Sequence, residues 1–83
     1  GITASGKRVR KGMIALNWLA FGTRLEIKGM GVFTVQDRGA RRHFGTRRNP
    51  KKRLDLYMSS HADALKWGKR KIKVRILAKK KGA

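Results

Sequence analysis

The sequence predicts a small, mainly β domain, a closed barrel carrying one short helix, over residues 1–78, with a basic tail at 79–83. Three observations carry that expectation. Several short segments alternate apolar and polar residues with a period of two, the spacing that turns one side of a strand inward. Glycine-containing turns separate them. The order strand, strand, strand, loop, strand, short helix, strand does not fit parallel βα repeats and suits a small closed sheet.

The elements follow in order. Residues 1–11 have turn character at Ser5-Gly6 and then a basic run. Gly12 to Asn17 is an apolar stretch of buried-strand type. After a turn at Phe21-Gly22, residues 23–28 place Thr23, Leu25 and Ile27 inward and Arg24, Glu26 and Lys28 outward. Gly29-Met30-Gly31 connects this strand to a second at 32–37, where Phe33, Val35 and Asp37 share a side, so the pair reads as a hairpin. Residues 38–53 hold eight basic residues, the only proline and two glycines, and read as a long loop of the functional or mobile kind. A strand is expected at 53–58. Ser60 as N-cap, with Asp63 three residues on, starts a helix over about 60–67 that Gly68 stops. Residues 71–77 alternate again, with Ile72, Val74 and Ile76 inward. The Lys79-Lys80-Lys81 tail is expected to be disordered.

Size and charge bound the function. A chain of 83 residues makes one domain whose net stability is on the order of 5 kcal/mol. Without cysteine it has neither disulfides nor thiolate metal ligands, and His43 and His61 lack partners at ligand spacing, so no metal or other cofactor is expected. No run approaches the roughly 18 apolar residues of a membrane span, and no signal-peptide pattern is visible in this chain. Twenty-three basic residues against four acidic ones give a net charge of +19. Such a surface attracts polyanions: nucleic acid, anionic lipid or anionic wall polymers.

With acids so scarce, their placement is informative. Asp37 closes the run 31–37 and Asp55 lies inside Arg53-Leu54-Asp55-Leu56-Tyr57-Met58. A carboxylate in a half-apolar β segment is costly unless it is paired or used. Asp37 could equally form an Asx-type turn, and Asp55 could pair with Arg53 or another base. Trp18 and Tyr57 are candidates to stack on a ligand's rings, whereas Trp67 reads as core.

Thr3-Ala4-Ser5-Gly6, Gly12-Met13-Ile14-Ala15-Leu16, Phe21-Gly22-Thr23-Arg24-Leu25, Gly29-Met30-Gly31, Asp37-x-Gly39, Leu54-Asp55-Leu56-Tyr57 and Ala64 to Arg70 stand in the order found in the three-aspartate domain. Over residues 3–77 the chain resembles that family, a six-stranded double-psi β-barrel similar to the catalytic part of membrane-bound lytic transglycosylase A. Three departures stand out. Asn17 replaces the family's first aspartate, the basic loop 38–53 replaces its glycine-rich stretch, and five strands are clear where six are needed. Either residues 1–5 supply the sixth or the chain is a fragment.

The resemblance implies cleavage of the β-1,4 bond between N-acetylmuramic acid and N-acetylglucosamine, with an anhydro product. It implies a bacterial protein, secreted or in the cell envelope, acting on peptidoglycan glycan strands. Asp55 and Asp37 match the family's catalytic and companion aspartates; Asn17, Thr23, Gly39 and Tyr57 match positions around the substrate, although an inward strand threonine is ordinarily just packed. One carboxyl group suffices when the sugar's own hydroxyl is the nucleophile, unlike the two of ordinary glycoside hydrolysis. Two alternatives stand beside this: a non-catalytic module for wall glycan or anionic wall polymers, and a basic nucleic-acid-binding domain. Nonspecific nucleic-acid binding is expected in any case.

Overall fold

A computed structural model describes residues 1–77. The tail expected at 79–83 lies outside the described residues. Five strands form one mixed sheet: β1 (Met13–Ala15), β2 (Arg24–Ile27), β3 (Gly31–Asp37), β4 (Asp55–Leu56) and β5 (Val74–Ile76), in the order β4-β1-β3-β2-β5. The helices are α1 (Arg41–Phe44) and α2 (His61–Trp67).

The hairpin matches expectation, and the final strand lies where expected with Val74 toward the core, but Ile76, expected inward, is 52% exposed on this edge strand. Antiparallel β2 and β3 pair Leu25 with Phe33 and Ile27 with Gly31, and β5 adds antiparallel to β2. The first strand joins differently from a simple meander. It runs parallel to β3, with Ile14 opposite Val35, and antiparallel to β4, with Ile14 opposite Leu56. Ile14, Val35 and Leu56 therefore form a row on one side of the sheet. Ile14, Leu16, Leu25, Ile27 and Val35 make the fully buried cluster, with Leu54, Leu56, Ile72 and Val74 half-buried around it.

Two expectations are corrected. The sheet is open and five-stranded, not a closed six-stranded barrel. Its edges, β4 and β5, are two and three residues long, too short to complete a ladder with each other; a cationic run precedes β4 and Ser59-Ser60 follows it. Residues 1–5 do not act as a sixth strand. They turn back on themselves through an Ile2–Arg8 bridge, and Ser5 N–H donates to the Gln36 carbonyl at the end of β3.

The second correction is inside the basic segment 38–53, which contains the one-turn helix α1. Phe44 is the reason. It is buried and pulls the turn onto the domain, and a Gly45–Pro50 bridge closes the remainder into a short loop. Helix α2 forms as expected. Ser60 Oγ accepts from Asp63 N–H at 3.1 Å, and Gly68 ends the helix with φ 59°, a backbone state that glycine adopts without steric cost. None of its residues is buried.

Candidate functional site

Asp37 and Asp55 are brought to the same place in the sheet by β1. Ala15 is the partner of Asp37 on β3 and of Asp55 on β4, with a bulge between Ile14 and Ala15. The two aspartates thus flank one small, buried residue, their backbones about 10 Å apart across the sheet, two strand spacings. Tyr57 completes the group. It is two residues beyond Asp55, hence on the same side of the strand, and its hydroxyl donates to Asp37 Oδ2 at 2.5 Å.

Asp37 is half-buried and fully engaged. Oδ1 accepts from Ala4 N–H at 2.8 Å and from Arg38 N–H at 2.9 Å. Burial pushes its carboxyl upward, but the Tyr57 hydroxyl, the two N–H donors and the Arg38 charge outweigh it and hold the group below the usual carboxylate range. The Thr3-Ala4-Ser5-Gly6 segment has its role here: it supplies the Ala4 donor, and Ser5 Oγ donates to Gln36 Oε1 at 2.7 Å. Tyr57 responds in the opposite sense. Burial, its bond to Asp37 and the charges of Asp37 and Asp55 push its phenol up to about 12.

Asp55 is exposed and its carboxylate makes no hydrogen bond or ion pair among the described residues. The expected candidate partner, Arg53, lies instead over the Phe44 ring, 5.0 Å from its centroid. The Arg38 guanidinium is also committed elsewhere, donating to the Leu16 and Leu19 carbonyls at 2.9 and 2.7 Å and covering the Phe21 ring at 4.0 Å. Among the described residues, no side-chain ion pair therefore neutralises either aspartate of the row.

Asn17, Gly39 and Thr23 make contacts within the fold. Asn17 is buried; its Nδ2 donates to the Gly39 and Gly45 carbonyls at 2.9 and 2.7 Å, and its Oδ1 accepts from Gly39 N–H at 2.9 Å. Two carbonyls on one side and an N–H on the other fix the amide orientation. This amide clamps both ends of α1. Gly39 packs under the Phe44 ring so tightly that a Cβ there would lie 2.1 Å from a ring carbon. Thr23 is buried and its carbonyl accepts from Val35 N–H.

Beside Asp55, a groove of about 660 Å³ runs between β4 and β5 and is roofed by α2. Asp55 lines it, with Trp18 and Trp67; Asp37 and Tyr57 do not. Sequence reasoning placed Trp67 in the core and missed this role. Arg70, a short step past the helix, lies 3.9 Å from the Trp67 ring centroid, and that spacing was the available signal. Among the described residues, no cluster of ligating side chains could hold a metal ion, and no helix is long and apolar enough to cross a membrane. No family profile, curated protein or solved structure matches the chain.

Proposed function

We propose that this chain is a three-aspartate-type domain that cleaves peptidoglycan glycan strands in the bacterial envelope, with Asp55 as the general acid and base. The observation that supports this reading most is the division of labour in the Asp37–Tyr57–Asp55 row. Asp37 is held ionised by three donors and cannot give up a proton, whereas Asp55 is exposed and unpaired. Asp37 serves to hold Tyr57.

The step needs one carboxyl group. Protonated Asp55 gives its proton to the glycosidic oxygen as the muramyl C1–O bond breaks. The muramyl C6 hydroxyl attacks C1 and its proton passes to the Asp55 carboxylate. The products are an anhydromuramyl end and a free N-acetylglucosaminyl hydroxyl; no water is consumed and the carboxyl group is restored. The cationic surface holds the domain on anionic wall polymers.

Incubation of wild type and Asp55→Asn with purified sacculi tests this, with mass spectrometry of soluble fragments. Anhydromuropeptides from wild type alone support the assignment; none from either protein overturns it. A second reading, a non-catalytic wall-binding module, is favoured by one observation: Asn17, at the family's first aspartate, is wholly spent on clamping α1. In that case both proteins sediment with sacculi and release nothing.

A further inference from the structure

Apart from Asp55, the residues that line the groove between β4 and β5 have no part in the proposed proton transfer. Its floor is apolar: Leu54, Leu56, Ile72 and Val74 are half-buried members of the core margin, left open because the two edge strands do not pair. Its rim is cationic. Lys52 and Arg53 stand on one wall and Lys69, Arg70 and Lys71 on the other, all exposed, against the single carboxylate of Asp55.

The two tryptophans join floor to rim. Lys52 Nζ lies 4.1 Å from the Trp18 ring centroid, as Arg70 lies over Trp67. Lys52 is a long, exposed side chain that can re-aim toward an anion at little cost, whereas Arg70 is fixed at the rim, its Nε donating to the Trp67 carbonyl at 2.8 Å. Trp18 also keeps its indole N–H buried with no acceptor among the described residues, a donor for which a ligand oxygen would be a gain. Above, α2 buries none of its residues and leaves Leu65 69% exposed.

A simple polyanion would satisfy the rim and leave the floor wet. A neutral apolar body would fill the floor and leave five cations without a counter-charge. We propose that the groove binds an anionic lipid, its acyl chain laid along Leu54, Leu56, Ile72 and Val74 and its phosphate held between Lys52–Arg53 and Lys69–Lys71. Its size lies in the range of small-ligand sites, and charge complementarity selects the head while the floor selects the tail.

Both tryptophans of the chain line this groove, so intrinsic fluorescence reads its occupancy directly. The probe is lysophosphatidylglycerol, kept below its micelle concentration, in a series of increasing acyl length. Saturable blue-shifted emission is expected, with affinity rising by up to about fourfold for each added methylene. Lysophosphatidylcholine of equal chain length should bind at least about tenfold more weakly, and glycerol phosphate alone should not shift the emission. Arg70→Glu with Lys71→Glu, both exposed, should weaken binding by about tenfold or more with the fold retained, as read by circular dichroism. Equal binding of the zwitterionic lipid, no dependence on chain length, full competition by glycerol phosphate or single-stranded oligothymidylate, or no spectral change would each overturn the proposal.

Discussion

At the scale of single residues, the bond between Tyr57 and Asp37 makes the sharpest statement. The chain has one tyrosine, so the phenolate absorbance of the folded protein reports Tyr57 alone. It should rise near pH 12, where burial and the neighbouring carboxylates place it. In Asp37→Asn, which removes an acceptor and a negative charge, the rise should move back toward the ordinary value near 10. Signs for stability follow from the same shifts. Asp37, held low, stabilises the fold above the ordinary carboxyl range, and that contribution is lost as pH falls through its lowered value. Tyr57, held high, stabilises below about pH 10, and its contribution is lost as pH rises through about 12.

Asn17 gives a second residue-scale expectation. Asn17→Asp, which places there the aspartate of the three-aspartate domain that the sequence resembles, would replace two N–H donations by a carboxylate facing two carbonyl oxygens. It should destabilise the domain by about 1–3 kcal/mol or more, read from urea unfolding. A neutral effect would contradict the clamp. The importance of position 17 was legible in the sequence as a departure from an aspartate pattern, but its role was not. A hydrogen bond to residues twenty-two and twenty-eight positions away leaves no local pattern. Asp37 was legible because an acid closing a β segment is costly; its actual partner at Ala4 arrives from the far end of the chain.

At the scale of elements, period-two alternation located the β2–β3 hairpin and the final strand, and capping chemistry located α2 from Ser60 to Gly68. Helix α1 escaped notice because a one-turn helix has no periodicity to detect and its flanking arginines dominate the composition. What fixes it is tertiary: Phe44 seated on Gly39 and the Asn17 amide at both ends. Gly39→Ala, whose Cβ meets the Phe44 ring, should therefore unseat the turn at a cost of about 1–3 kcal/mol. The change should also raise hydrogen exchange across Arg41–Phe44 while leaving α2 protected. Unchanged exchange there would mean that the loop holds itself by other contacts.

At the scale of the whole molecule, charge and closure set the behaviour. A net charge of +19 on 83 residues is self-repulsive, so the melting temperature should rise between low and physiological salt as the charges are screened. A flat response would mean that bound anions already neutralise the surface. Closure was the largest misreading. Counting alternating segments shows how many strands exist, but not whether the first and last are long enough to meet. Edges of two and three residues leave the seam open, and that open seam supplies the groove.

Sacculi digested in water enriched in heavy oxygen test the Asp55 chemistry most directly. Release of anhydromuropeptides free of the heavy isotope by wild type, and their loss in Asp55→Asn, is the expected result. Products that carry heavy oxygen at the muramyl end, equal release by the variant, or no release at all would contradict it.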